Sequence, residues 1–528
     1  MVNNIRSVLI SENVDSVCAK ILRENGFEVT NKIGMTRQEL LDEVKKYDSL
    51  IVRSATKVTA DVIEAATSLK VIGRAGTGVD NIDCDAATRQ GILVINAPGG
   101  NTLSAAELTC CMVVSLSRKI AQACASLKAG LWDRKTYIGE ELQGKTLAII
   151  GLGRIGREVA SRMQSFGMKT IGFDPLVPPE ESITFGVESF QLDQLWPKAD
   201  YITIHVPLIP PTKHMINDLV LSKCRKGVKI VNCARGGIID EDALLRALES
   251  EQCGGAGLDV FEEEPPKNST LLQHSKVICT PHLGASTKEA QKRVAEEIAL
   301  QFVELLKGHS VPGIVNAPTF GQFQVADNKY WVKLCQTLGK LADKLVTSDE
   351  QKNVIVSTRG ALLEKKGTVL GIATLVGLMS NTSSNGINFI NAPLLAKEAG
   401  IKLSIHHKEV LMSCDGQCPS SAVEIKVEAG NESHVLVGTT EGSVLLLCSI
   451  DDACFNPCQP LQGNLVVTKI DDDKNLELEL MKSLMTGEAC VRSAAISAPF
   501  NEQRWCIFNT MSPTVSLKQP VFWTQLMV

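Results

Sequence analysis

Three polar residues stand in turn-rich stretches that follow apolar runs: Arg235 in VNCARGGIIDEDAL, Glu264 in DVFEEEPP and His282 in TPHLGAS. An arginine offers a fixed fork of donors to a carboxylate or carbonyl oxygen. A histidine titrates near neutral pH and can take a proton from a hydroxyl. A carboxylate beside it orients the ring and stabilises the imidazolium. With a hydride acceptor alongside, this is the set needed to oxidise a 2-hydroxy acid. Taken singly, each residue is weak: a lone histidine is more often structural, and Glu262, Glu263 and Glu264 could all be surface. Glu264 directly precedes Pro265, and the residue before a proline is biased to extended backbone. Glu264 is therefore expected to be held in place, with Glu262 and Glu263 facing solvent.

A hydride acceptor needs its own site. In TLAIIGLGRIG an apolar strand runs into Gly151, Gly153, Arg154, Ile155 and Gly156, and the helical pattern REVASRMQSFG follows. Glycines there permit a tight turn, close approach of backbone to a pyrophosphate and close helix–strand packing. The helix N-terminus supplies free N–H groups. The next strand, KTIGFD, ends on Asp174, placed for a ribose diol, where it would repel a 2′-phosphate. Strand, loop, helix and acid together predict NAD rather than NADP. GRAGTGVDNID also carries paired glycines, Gly76 and Gly78, but its next strand ends on Asn96 without an acid. Its backbone N–H groups are better suited to a carboxylate.

The elements that must position these groups follow an alternating pattern. SVLI, LIVR, KVIGRA and ILVINA read as strands, with helices VDSVCAKILREN and RQELLDEVKKY between them. Residues 101–130 read as one long buried helix ended by Gly130. A second series follows with strands KTLAIIGLG, KTIGFDP, YITIHVP, VKIVNCARGG, GAGLDVF and VICTPHLG, and a long helix over about 286–307 closes it. The alternation predicts α/β lobes with parallel sheets, the chain crossing between them along the two long helices. The expected division is 1–97 with 294–316 for the first lobe and 98–293 for the nucleotide lobe. Two small α+β domains, 317–450 and 451–528, come after, with their boundary near DDACFNPCQPLQG.

A net charge of −5 excludes a global basic field for nucleic acid or an anionic membrane, so any anion must be met by local arginines. The longest apolar stretch, 369–379, is too short to span a bilayer. MVNNIRSVLI shows no secretory leader. The 17 scattered cysteines suit reduced thiols in the cytoplasm better than a disulfide framework. His406 and His407 with Cys414 and Cys418 fit no standard zinc spacing. A solvated polar loop is expected there, and no metal.

The segments GLGRIGREVASRMQSFGMKTIGFDP, MINDLVLSKCRKGVKIVNCARGGIIDEDAL and GAGLDVFEEEPP…VICTPHLGASTKEAQ resemble the D-isomer-specific 2-hydroxyacid dehydrogenases, strongly over residues 5–316. GASTKEAQ is similar to the long-chain phosphoglycerate branch. The resemblance implies a flavodoxin-like substrate lobe, a doubly wound NAD lobe and two C-terminal regulatory units. INFINAPLLAKEAGI resembles their intervening domain, and NLVVTKIDDDKNLELELMKSL resembles a degenerate ACT-like βαβ unit without an identifiable serine site. It also implies His282 as acid/base, Glu264 as its partner and Arg235 as substrate anchor. Further cofactor contacts would come from Thr77, Cys233, Ala234, Asp259, Gly284 and Ala285. The substrate, a small phosphorylated 2-hydroxy acid, would meet Arg53, Ser54, Arg74, Gly76, Gly78, Asn101, Arg134 and Lys135. The implied reaction is NAD-dependent oxidation of 3-phospho-D-glycerate to 3-phosphohydroxypyruvate, opening serine biosynthesis, in a homodimer or homotetramer. The alternatives are a glyoxylate- or hydroxypyruvate-type reductase and an NAD-sensing scaffold.

Overall fold

The computed structural model describes residues 5–267, 269–348, 350–380, 386–409, 419–472, 491–511 and 522–527. Its first sheet holds β1 (Ser7–Ile10), β2 (Glu28–Asn31), β3 (Ser49–Val52), β4 (Val71–Arg74) and β5 (Leu93–Asn96). They pair in parallel in the order β2-β1-β3-β4-β5, the flavodoxin-like arrangement. The inner strands are continuous apolar runs because helices cover both faces. β2, EVTN, is a polar edge strand with no apolar run, so no periodicity marks it.

The second sheet holds β6 (Thr146–Ile150), β7 (Lys169–Phe173), β8 (Glu188–Ser189), β9 (Tyr201–Ile204), β10 (Val228–Asn232), β11 (Cys253–Leu258) and β12 (Val277–Cys279). Its order is β12-β11-β10-β9-β6-β7-β8, again all parallel. This is the doubly wound pattern, with its switch point between β6 and β9.

The expected helix over 101–130 is two helices, Thr102–Arg118 and Ile120–Lys128, broken at Lys119 (φ 51°). Lys119 turns the chain left-handed, so the second helix leaves the core and buries no residue. The first packs Ala106, Cys110, Met112, Val113 and Leu116 into the nucleotide lobe. The closing helix Lys288–Leu306, capped by the Thr287 side chain, packs Ile298 and Phe302 into the first lobe. The chain therefore changes lobes at the N-terminal ends of these helices, not along them. The crossings touch: a Cβ on Gly100 would lie 2.5 Å from Val294, and Arg293 Nε donates to Gly100 O at 3.0 Å.

The third sheet holds β13 (Lys352–Arg359), β14 (Lys402–His407), β15 (Ala422–Ala429), β16 (Glu432–Glu441), β17 (Val444–Ile450) and β18 (Ala453–Pro460). The apolar stretch near 369–379 forms the buried helix Gly367–Leu378, seated against Lys329–Leu345. Glycine allows that approach: Cβ atoms on Gly339 and Gly377 would lie 2.3 Å from Thr374 O and 2.0 Å from Gln336 O. No helix among the described residues is long and apolar enough to cross a membrane. The stretch taken as an interdomain boundary contains a hairpin. Asp451 (φ 48°) and Asp452 (φ 64°) form its turn, and β18 pairs with β17. The third sheet thus runs to Pro460 rather than ending at 450. Acid- and proline-rich composition made a paired strand look like a linker.

The last sheet holds β19 (Asn464–Asp471), β20 (Val491–Ile496), β21 (Gln503–Thr510) and β22 (Phe522–Met527), in the antiparallel order β20-β21-β19-β22. The NLELELMKSL segment lies outside the described residues.

Gly73 in β4 faces the closing helix, and an added Cβ would lie 2.5 Å from the fully buried Phe302 ring. Gly73→Ala should destabilise the first lobe by about 1–3 kcal/mol through overpacking. The reading is the lowest thermal unfolding transition, and an unshifted transition would show that this packing is not tight.

Candidate active site

The three chemically suggestive residues stand at the carboxyl ends of three adjacent parallel strands: Arg235 after β10, Glu264 after β11 and His282 after β12. The sheet order therefore gathers residues up to 47 positions apart in sequence at one edge. His282 Nδ1 lies 2.8 Å from Glu264 Oε2, and Glu264 Oε1 accepts the Phe261 N–H at 3.3 Å. Bonding through Nδ1 leaves Nε2 to exchange a proton with substrate. The hydrogen bond from Glu264 holds the imidazole above its ordinary range, against the opposing effects of burial and of Arg235. Burial alone would raise the Glu264 carboxyl, but the His282 hydrogen bond and charge outweigh it and hold it below the usual range.

The other glutamates have partners of their own. Glu262 lies 3.1 Å from His214 Nε2 and exchanges backbone contacts with Glu241, while Glu263 pairs with Lys267. Both are exposed, and neither touches His282.

The loop that carries His282 is organised by Asp259. This carboxylate is fully buried and accepts from Thr280 Oγ1 (2.6 Å), Leu283 N (2.6 Å) and Gly284 N (2.8 Å). His282 itself has φ 54°, and its N–H donates to Asp259 O at 2.9 Å. Ala285 follows, its carbonyl accepting from Gln291. Buried Asn232, which the sequence did not single out, holds the turn of Arg235 by accepting from Ala234 N and donating to Arg235 O. Burial pushes the Cys233 thiol beside it up to about 12, so it is not a nucleophile at neutral pH.

Across the cleft, loop 76–78 of the first lobe presents Gly76 and Gly78. A Cβ on Gly78 would lie 1.7 Å from Arg235 Nη2, and one on Gly76 would lie 1.7 Å from Arg74 Nη1. Both glycines are there to let guanidinium groups approach the loop. Arg235 Nε bonds Asp80 Oδ2 at 2.9 Å. The buried Arg74 Nε has no hydrogen-bond partner. Burial and then the Arg235 charge lower Arg74 to about 10, so it stays a cation at neutral pH. Arg53 and Ser54 lie in a loop whose N–H groups, on Arg53, Ala55 and Thr56, are gathered by Glu12. Thr77 Oγ1 donates to Asn101 at 2.6 Å, which joins this loop to the lobe crossing.

Arg134 and Lys135 are not brought to the site by their own chain. They are exposed near the far end of helix Thr102–Arg118, where Lys119 Nζ bonds Thr136 O. Asn101 caps the near end, and 17 residues at 1.5 Å each separate the two ends by about 25 Å. Position along a helix is invisible to a motif match.

The glycine loop fits a dinucleotide. Gly151 has φ 96°, and a Cβ there would lie 2.5 Å from His205 O; one on Gly156 would lie 2.1 Å from Gly151 O. Gly153, the N-cap of Arg154–Ser165, has open space where a Cβ would stand and no side-chain cap, so the helix N–H groups remain available. Ile155 packs into the lobe and Arg154 Nη1 reaches Pro98 O at 3.1 Å. Asp174 directly follows β7 and fixes the loop by accepting from Leu152 N at 2.8 Å. The His205 ring underneath is half-buried, and burial lowers it to about 3, so it adds no charge near the loop.

The His406–His407 pair, expected in a solvated loop, instead ends β14, where Thr358 Oγ1 lies 2.9 Å from His407 Nδ1. Cys414 and Cys418 lie outside the described residues, and among the described residues no cluster of metal-binding side chains occurs.

Gly151→Ala should raise the Kd for NADH by about tenfold or more, because the positive φ and the His205 carbonyl both resist a side chain. NADH fluorescence on titration measures it, and unchanged affinity would remove this loop from the cofactor site.

The family model for the NAD binding domain of D-isomer specific 2-hydroxyacid dehydrogenases matches residues 110–284. That for the D-3-phosphoglycerate dehydrogenase intervening domain matches residues 328–444. The chain is 50% identical to D-3-phosphoglycerate dehydrogenase of Homo sapiens, over 88% of this chain and 86% of that relative. It is 42% identical to D-3-phosphoglycerate dehydrogenase of Methanocaldococcus jannaschii, over the same shares of each. Among solved structures it is similar to D-lactate dehydrogenase from Aquifex aeolicus complexed with NAD and lactic acid. That likeness has a TM-score of 0.52 and 30% identity, over 57% of this chain and 96% of that one. A His282–Glu264 pair at the edge of the nucleotide sheet, a glycine loop made for NAD and relatives matched along most of their length lead to one assignment: the chain belongs to the D-3-phosphoglycerate dehydrogenase family of D-isomer specific 2-hydroxyacid dehydrogenases.

Proposed function

We propose that the chain oxidises 3-phospho-D-glycerate to 3-phosphohydroxypyruvate with NAD, the entry reaction of phosphorylated serine biosynthesis. The observation that carries the reading is Arg74, a half-buried cation whose buried Nε has no partner, set beside Arg235 at the cleft that holds the His282–Glu264 pair. Two guanidinium groups on a net acidic protein suit an anion with both a carboxylate and a phosphate. Arg235 anchors the carboxylate. Arg74 and Arg53, with Ser54, Gly76, Gly78 and Asn101 around them, receive the rest of the substrate. His282 Nε2 takes the C2 hydroxyl proton, and Glu264 stabilises the imidazolium that forms. Bound NAD supplies the hydride acceptor. Asp174 favours it over a 2′-phosphorylated cofactor, and Thr77, Cys233, Ala234, Asp259, Gly284 and Ala285 line its nicotinamide end.

In this reading residues 1–97 and 294–316 form the substrate domain and 98–293 the NAD domain. The intervening domain follows, and the last sheet is ACT-like. Its strand order is that of a split βαβ unit, which supports the assignment. The protein works in the cytoplasm, in keeping with the free thiols of its described cysteines.

Arg134 and Lys135 act on the cleft of a second copy in a homodimer. The surface around them carries exposed Ile120, Leu127, Leu131, Ile138 and Trp132, the last 78% exposed. Trp132→Arg should shift the protein toward monomer in sedimentation and raise KM for the phosphorylated acid with little change in the Kd for NADH. A monomeric parent with full activity would refute this arrangement.

NADH formation from 3-phosphoglycerate and from D-glycerate tests the function. The parent should prefer the phosphorylated acid, and His282→Ala should lower kcat by about 10²–10⁴. Equal turnover of both acids would favour a reductase of glyoxylate type.

The pH profile follows from the His–Glu pair. Oxidation needs neutral His282, so kcat/KM should rise with pH through a pKa above the ordinary imidazole value. Glu264→Gln removes the largest cause of that elevation, so the limb should move to lower pH while the plateau falls. A limb that stays in place would mean that another group titrates.

A further inference from the structure

We propose that Asp80 is a positioning residue for Arg235, holding the guanidinium so that one edge is presented to the substrate; the proposal rests on the function given above. Arg235 Nε donates to Asp80 Oδ2 at 2.9 Å, an ion pair that joins the two lobes across the cleft. Arg235 Nη1 is turned to Ala234 O at 2.5 Å. Two of the three nitrogens are therefore fixed, and Nη2 is the edge left, lying where a Gly78 side chain would be.

The support beneath Asp80 is rigid. Its neighbour Asn81 is buried and donates to Arg53 O and Thr56 O, both at 2.7 Å. Val58 N donates to Asn81 O at 2.8 Å, and Asp83 N returns to Val58 O at 2.8 Å. A Cβ on Gly78 would also lie 2.7 Å from Asp80 Oδ2, so the glycine leaves room for both members of the pair. The charge of the acid also acts on Arg74, where it opposes the effect of Arg235.

Stability is a poor account of this contact. The Asp80 side chain is 64% exposed, and exposed ion pairs add little to folding. Its worth is geometric: an arginine free to rotate about its side chain meets a carboxylate only part of the time, whereas one held at Nε is already aimed.

The test compares Asp80→Ala and Asp80→Asn with the parent. Steady-state oxidation of 3-phosphoglycerate is measured, and so is binding of oxalate, an analogue of the 2-oxo acid, to the NADH complex by fluorescence. Asp80→Ala should lower kcat/KM by about tenfold, mostly through KM, and weaken oxalate to a similar degree, with NADH affinity unchanged. Asp80→Asn keeps an acceptor for Nε and should retain activity within about threefold of the parent. In an Arg235→Lys background, Asp80→Ala should add less than about twofold, since the bond it serves is already gone. Tighter oxalate binding in Asp80→Ala would overturn the proposal, because Asp80 would then be competing with the substrate. Losses that simply multiply with Arg235→Lys would also overturn it. A parent that binds oxalate but does not oxidise 3-phosphoglycerate would sink the function alone, and the oxalate series would still decide the role of Asp80.

Discussion

The buried carboxylate of Asp259 is the contact on which the catalytic edge depends. Three donors from residues 280–284 converge on it, and its own carbonyl accepts the His282 N–H. A buried charge without partners is costly, and here the polypeptide wraps round it to supply them. That wrapping gives His282 its left-handed backbone and turns its ring toward Glu264. Remove the carboxylate and the loop loses the reason for its shape. Arg235 depends on Asn232 in the same way, at the end of the neighbouring strand. His282 and Arg235 thus reach into the cleft from loops whose orienting groups, Asp259 and Asn232, are buried behind them.

Much of this could be read from the sequence because the sheet is parallel. The strands that carry the site announce themselves as apolar runs, and each of those runs ends where a ligand would lie, so Arg235, Glu264, His282, the glycine loop and Asp174 could be picked out by position alone. Choosing Glu264 among three glutamates followed from Pro265, and the structure pairs that one with His282. What escaped was whatever depends on distance or on a partner from elsewhere in the chain. Arg134 matched a motif, yet a 17-residue helix carries it away from the cleft. Asp80 sat in a loop judged by its glycines, and its meaning appears only once Arg235 lies across from it. The break at Lys119 and the hairpin at Asp451 and Asp452 were missed for a related reason: both use left-handed backbone at residues other than glycine.

Beyond the two lobes, the chain does not trail away as separate beads. One continuous core runs from Val8 and Phe302 of the first lobe through Trp331, Leu338 and Leu370 to Leu465 and Ile507. Arg89 pairs with Glu398, and the Asn388 side chain donates to Gly91 O, so the helix Ala392–Glu398 and the loop before it grip the outer face of the first lobe. Whatever strains the C-terminal sheets is felt by the lobe that carries Arg53 and Arg74.

The touching crossings at Gly100 and Val294 set how the cleft can move. Two chain segments packed side by side resist sliding and leave rotation about their common line as the easier relative motion, in which the lobes would act as a clasp. In that motion the Arg74 and Arg235 charges, which already oppose one another, would draw together on shutting. Like charges push the empty clasp open, and one aspartate offsets only part of that push. The remainder must come from the charge on the substrate. An acid with two anionic groups would thus act as its own fastener, whereas an uncharged analogue of the same size could enter and leave the clasp ajar. Selection for charge would then lie in the closing motion as much as in the contacts made after it.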